Sequence, residues 1–222
     1  MHIPYHDKGV WERALDRIVA SRPATIVLLG DFIDCYHVSR YDKASGHQKF
    51  EEELSVAREH LNTLLECGRR ARVIYLEGNH EQRLEKYIIR NAPELSGLQS
   101  GGGPLSIPSL LGLSGRGIEW VPWGQQATVE GIALEHGDCA QAKAGYTAQS
   151  MLDRRSARRG VSAHTHRLAH VFRTVQDGVR EWVESGCMQR RDSQAYRLYP
   201  DWQYGLSYLD EDDRLCIRSL EA

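Results

Sequence analysis

Ten histidines are scattered unevenly along the 222-residue chain, and the ones that could do chemistry share a setting. His80, His136, His164 and His166 each stand beside Gly, Asp, Asn or Thr near the end of an apolar run of strand length, and Asp31 does the same after Leu28 and Leu29. Imidazole and carboxylate suit Mn, Fe or Zn, and rigid strand ends are where such ligands can be held in a preorganised geometry. The recurrence of this setting, rather than any single histidine, points to a metal site.

The elements that must carry these residues are legible from spacing. Residues 9–20 read as an amphipathic helix, 25–29 as a short buried strand ending at Gly30-Asp31, 50–67 as a long helix with Leu54, Ala57, Leu61, Leu64 and Leu65 on one face, and 71–76 as a second buried strand ending at Gly78-Asn79-His80. Helix is expected over 81–93. The stretch 96–117, with three successive glycines and two prolines, reads as a loop holding a short element. Strands are expected at 118–122, 127–135, 161–163, 170–175, 180–184, 205–209 and 214–219, with one helix at 142–158. Such alternation gives sheets covered by helices, with ligands beyond the carboxyl ends of the strands.

In order along the chain, Gly30-Asp31-Phe32-Ile33-Asp34, Gly78-Asn79-His80-Glu81, His136-Gly137 and His164-Thr165-His166 resemble the motifs of the calcineurin-like metallophosphoesterase superfamily, over nearly the whole chain. The resemblance implies a single domain over 1–222 of the α+β class, a four-layer αββα sandwich in which two mixed sheets are flanked by helices. It implies two divalent metal ions, Mn2+ first among them, with Fe, Zn, Ni or Mg as others. Asp31 would bridge them, with Asn79, His136 and His164 completing one metal and His2 and His166 belonging to the other. Catalysis would then rest on Asp31 and on His80, which would contact the scissile phosphate or leaving group rather than bind metal. A metal-activated hydroxide would be the nucleophile, so neither Ser nor Cys is needed. The segment YPDWQYG, with Trp202, is similar to the end of small phage-type and bacterial members.

The resemblance departs from the family pattern at its first residue. Family members open with a strand ending in Asp-x-His, whereas this sequence starts Met1-His2-Ile3, as though entered just after the aspartate. One expectation is a longer natural product carrying the strand and the carboxylate. The other is that a nearby carboxylate such as Asp7 compensates.

Around the motifs, several residues carry two readings. Asp34 either orients a ligand from behind or makes an Asx turn. Glu81 either supports the histidine before it or favours a helix N-terminus, as acidic residues do generally. Arg154-Arg155 and Arg158-Arg159, followed by Gly160, either form a positive stripe at i,i+4 spacing that guides phosphates or are a last helical turn ended by glycine. Arg154, Arg158 and His37 are the substrate-binding candidates. His47, His60 and His170 are assigned no ligand role. The segments 40–48 and 96–117 are expected to select substrate, as loops on a rigid sheet commonly do. Trp120 and Trp182 alternate within strands and read as packing residues, leaving Trp202 as the least buried tryptophan by pattern.

Composition bounds the function. A formal net charge of -2 supplies no overall field toward nucleic acid or an anionic membrane. No apolar run is long enough to span a bilayer, and the N-terminal residues lack the pattern of a secretory signal. Five scattered cysteines without CxxC pairing read as reduced thiols, Cys139 among them as a small hydrophobe. The expected protein is cytoplasmic, a monomer or homodimer, hydrolysing a phosphoester small molecule or short nucleic acid. A phosphodiesterase is the leading reading. A phosphomonoesterase, or a noncatalytic binding protein on a degenerate phosphoesterase fold, are the alternatives.

Overall fold

Short apolar runs closed by glycine or aspartate become strands here, and longer runs with helical spacing become helices. The computed structural model describes residues 1–43, 49–98, 103–193 and 200–221. His47 and parts of the two segments expected to select substrate lie outside them. Two compact units account for the chain, one formed by 1–5 and 15–123 and the other by 6–14 and 124–222.

The first unit is built on a parallel sheet, with β1 (Thr25–Leu28), β2 (Arg72–Leu76) and β3 (Ile118–Val121) in the order β1-β2-β3. Helix α1 (Lys8–Ser21) begins in the second unit and ends in the first. Between β1 and β2 runs α2 (Phe50–Cys67), which buries the expected Leu54, Ala57, Leu61 and Leu64 together with an unexpected Glu53. Leu65, also placed on that face by spacing, is only half-buried. After β2 comes α3 (Gln82–Asn91), and the following segment holds a one-turn helix, α4 (Ile107–Leu110).

The second unit holds a five-stranded mixed sheet, ordered β4-β5-β6-β8-β7, from β4 (Ala127–Val129), β5 (Ile132–Glu135), β6 (Arg159–Ser162), β7 (Leu168–Val175) and β8 (Gly178–Ser185). A separate antiparallel pair joins β9 (Gly205–Leu209) and β10 (Leu215–Ser219). Helix α5 (Tyr146–Arg154) packs on β7 and β8, with Ala148, Met151 and Leu152 clustered against Trp182. β6 can lie against that ring because residue 160 is glycine: a Cβ there would come within 2.2 Å of the Trp182 ring.

An α+β fold with sheets flanked by helices is therefore present, but it departs from expectation in several places. Three sheets stand among the described residues rather than two mixed ones, because the first sheet is wholly parallel and β9–β10 pair only with each other. The single strand expected over 127–135 is a hairpin, bent at Glu130 and Gly131, both at positive φ. The helix expected over 142–158 starts only at Tyr146 and ends at Arg154. Arg158 and Arg159 therefore continue no helical stripe, and Arg159 opens β6, where parallel pairing to β5 and β8 outweighs helix propensity. Trp202, expected to be the least buried tryptophan, is only 7% exposed and stacks edge-on against His166 at 4.6 Å between ring centroids. No described helix is long and apolar enough to cross a membrane.

Candidate metal centre

In the first unit, the ends of β1 and β2 bring His2, Asp31 and His80 together, each offering a ligand atom within 4.8 Å of the others, all three buried. His2 reaches this position because its segment lies along the residues after β1: His2 N–H donates to Asp31 O at 2.8 Å, Ile3 N–H to Phe32 O at 2.9 Å, and Asp34 N–H to Ile3 O at 3.0 Å. Ile3 and Ile33, bridged in parallel and fully buried, anchor that pairing. Gly78 lets the end of β2 close in. A Cβ on Gly78 would stand 2.3 Å from Asp31 Oδ1 and 2.4 Å from Asp31 N.

The loop after β1 is held from behind by Glu81. Its buried carboxylate accepts from the backbone N–H groups of Asp31 and Phe32 at 2.9 Å, Ile33 at 3.4 Å and Gly78 at 2.9 Å, and from the Tyr75 hydroxyl at 2.7 Å. Glu81 also stands at the N-cap position of α3, but its side chain makes no cap there and reaches the site loop instead.

Asp34 is buried behind the two imidazoles. Its Oδ1 lies 3.2 Å from His2 Nδ1 and 3.0 Å from His80 Nδ1, so both rings donate from Nδ1 and their own Nδ1 atoms approach to 3.2 Å through sharing one acceptor. His2 Nε2 then carries the lone pair and faces Asp31 Oδ2 at 3.7 Å. A carboxylate on Nδ1 with Nε2 left basic is how metal-binding histidines are oriented. Burial, and then the charge of His80, push His2 down to about 3, so it stays neutral at neutral pH, the state a ligand needs. Burial alone would raise Asp34, but the hydrogen bonds from His2 and His80 outweigh it and hold the carboxyl well below the usual range.

His80 is set differently. Its backbone N–H donates to Asp31 Oδ1 at 2.9 Å, and its Nε2 accepts from Arg83 Nη2 at 2.9 Å. Both ring nitrogens are engaged within the protein. Burial lowers its pKa, but Asp31 and Asp34 overcome that and leave it raised. Sequence reasoning passed over Arg83, although its i+3 spacing from His80 along the start of α3 was the available signal. Arg83 also donates to Asp34 O at 2.7 Å.

In the second unit, His136 follows β5 directly, and His164 and His166 follow β6. The His136 and His164 rings meet edge-on at 5.3 Å. The turn carrying His164 and His166 is pinned by Glu184 on β8, a fully buried carboxylate accepting from Thr165 Oγ1 at 2.8 Å and Gly145 N–H at 2.6 Å. Glu184 and Glu53 were passed over as candidates, although spacing placed Glu184 two residues after Trp182 on one strand face and Glu53 four residues before Ala57 on the apolar face of α2.

His2, Asp31, His164 and His166 all have φ between 50° and 65°. Left-handed backbone is uncommon for residues other than glycine and collects at functional sites, where the surrounding structure must impose it.

The remaining candidates are placed as follows. Asn79 is half-buried beside His80. His37 sits in a 3-10 turn (Tyr36–Val38), its Nε2 buried without a hydrogen-bond partner among the described residues. Arg154 pairs with Asp138 at 3.2 Å, and Arg158 donates Nε–H to Val179 O at 3.1 Å. Arg155 and Arg159 are taken up by Glu135 and Glu181. Asp7 Oδ1 accepts the Val10 N–H at 3.0 Å at the start of α1. All five cysteines are free thiols, and Cys139 packs partly buried against the Trp182 cluster.

The donors of the first unit, one carboxylate and one neutral imidazole with a carboxylate behind it, fit a divalent cation of the Mn, Fe or Zn kind. No family model matches this sequence, and a search of curated proteins finds no significant match.

Proposed function

We propose that the protein is a metal-dependent phosphoester hydrolase of the calcineurin-like metallophosphoesterase kind, preferring phosphodiesters, with the two units working as one domain. The observation that carries this reading is the His2 imidazole held between Asp34 on Nδ1 and Asp31 toward Nε2. Asp31 would be shared by two ions, His2 and His166 serving one, and Asn79, His136 and His164 the other. Carboxylate and imidazole donors of the same kind as those around His2 would serve the second ion. Mn2+ is the first metal to test. Such ions, when bound, supply charge neutralisation at phosphoryl oxygens and acidify water.

The chain's own residues then divide the remaining work. Asp34 and Glu81 keep the ligands oriented. His80, raised in pKa and buried at the site, gives its Nε2 proton to the leaving alkoxide. That protonation requires the Arg83 Nη2–H to turn away from Nε2, freeing Nη2 for a phosphoryl oxygen while Nη1 stays on Asp34. Arg154 and Arg158, both exposed, would contribute to the field that draws in an anionic substrate, and His37 would line its path.

Hydrolysis of a p-nitrophenyl phosphodiester and of the monoester, with Mn2+ and with a chelator, tests the reading. The expected result is metal-dependent release, faster on the diester, with His80→Gln costing roughly 100-fold in kcat on a dialkyl phosphodiester, whose leaving alkoxide needs the proton, and far less on the p-nitrophenyl one. Absence of metal-dependent turnover on both substrates would overturn it.

A further inference from the structure

Beside the candidate metal centre, within the first unit, cations and aromatic rings interleave. The Arg83 guanidinium, 2.9 Å from His80 Nε2, also lies 5.7 Å from the ring centroid of Tyr41, and Arg40 lies at the same distance from that ring. Lys43 Nζ stands 4.8 Å over the Tyr36 ring and is fixed by Ser39 O, Ser39 Oγ and Tyr41 O at 2.7–2.9 Å. Burial and the Arg83 charge push Lys43 below its ordinary pKa, as crowding of positive groups does, even with Asp42 and Asp34 opposing the shift. Tyr41 is nevertheless 56% exposed. A large aromatic ring left open to solvent, with two guanidinium groups beside it and an ammonium on its own backbone carbonyl, is not needed for packing. Such a combination is the chemistry of single-strand binding, in which bases stack on aromatic faces and cations follow the phosphates.

We propose that Tyr41, Arg40, Lys43 and Arg83 form a platform for a short nucleic-acid strand, Tyr41 stacking on a base while Arg83 holds the phosphate next to His80. This deepens the phosphodiesterase reading and rests on it for the identity of the scissile group. A base-free phosphodiester would miss the stacking contact, so the platform selects for nucleobases rather than for phosphodiesters in general. The near-neutral net charge is compatible with this local patch, since a short strand needs few phosphate contacts.

Binding in the presence of a chelator separates this inference from the metal reading. The probes are a fluorescently labelled short oligothymidylate and an abasic deoxyribose-phosphate oligomer of equal length, followed by anisotropy. The wild-type chain is expected to bind the oligothymidylate about tenfold more tightly, the worth of one stacked base. Tyr41→Ala should bring the two affinities together, Tyr41→Phe should preserve the preference, and Arg83→Gln should weaken both probes and reduce the salt dependence. Equal affinity for the two probes in the wild-type chain, no binding of either, or a preference surviving in Tyr41→Ala would each overturn the platform. Metal-dependent hydrolysis lacking base preference would leave the function standing without it. Base preference without hydrolysis would do the reverse.

Discussion

The carboxylate of Glu81 accepts the backbone N–H of Asp31 at 2.9 Å across fifty residues of sequence, and with its other contacts it ties the ends of β1 and β2 into one loop cluster. Asp31 carries a left-handed φ, which aspartate adopts more readily than most residues, and this anchor holds the loop around it. Replacing Glu81 by Ala leaves buried N–H donors and the Tyr75 hydroxyl without an acceptor. The expected loss is about 3 kcal/mol of stability, read from urea unfolding. Glu81→Gln should recover only part of it, because one amide oxygen cannot replace two carboxylate oxygens. An Ala variant as stable as the wild type would show that the loop is held by other means.

Asp34 lies behind His2 and His80, so on the proposed metal reading its loss should be felt as weaker metal binding in a folded protein. Asp34→Asn keeps the shape but replaces an ionised acceptor that both imidazoles share. Mn2+ affinity measured by calorimetry is expected to fall about 10- to 100-fold. Unchanged affinity would remove the orienting role.

Glu184 makes the corresponding prediction for the turn of His164 and His166. Thr165 Oγ1 and Gly145 N–H both end on its buried carboxylate. Glu184→Ala should cost about 2 kcal/mol or more through those two unsatisfied donors. Hydrogen exchange should rise at residues 163–167, and protection equal to the wild type there would contradict the assignment.

A pH dependence follows from Glu53. Burial pushes its carboxyl from the ordinary 4.5 up to about 8, opposed by the Cys35 N–H it accepts at 2.5 Å. The folded chain therefore holds a proton that the unfolded chain gives up. The sign is fixed by that difference: the contribution is fully present below pH 4.5 and is lost as pH rises through 8. Above pH 6.5, where the opposing titration of His2 falls away, urea midpoints should decline toward pH 8 in the wild type, and Glu53→Gln should flatten part of the decline. Glu77, raised by burial to about 7, and His80, raised against its burial by Asp31 and Asp34, contribute in the same sense, whereas His2, lowered by burial from 6.5 to about 3, opposes them below its ordinary value. Identical slopes in the two proteins would show that Glu53 is ionised when folded.

The strand-end setting of Asp31, His80, His136 and His164 was legible because apolar runs of four or five residues between Gly, Asp and Asn have few other ways to fold, and most element boundaries fell close to expectation. Less legible was whatever depends on distant partners. The arginine run reads as a helix end by local rules, yet Arg159 is drawn into β6 by pairing with two neighbouring strands. Trp202 lies in a segment without strand alternation and is buried by His166, which pattern cannot anticipate. Glu53 and Glu184 share the periodicity of buried neighbours, Ala57 and Trp182, but the groups they accept from come from distant segments and could not be read from sequence. Arg83 was within reach, one helical turn beyond His80.

The central claim is that Asp31 belongs to a metal centre, and metal content tests it most directly. After equilibration with Mn2+ and removal of free metal, the wild-type chain should retain about two ions, and Asp31→Asn, chosen because Asn tolerates the left-handed backbone of that position, should retain one or none while remaining folded. A wild-type chain holding no metal, or an Asn variant holding as much as the wild type, would contradict the account.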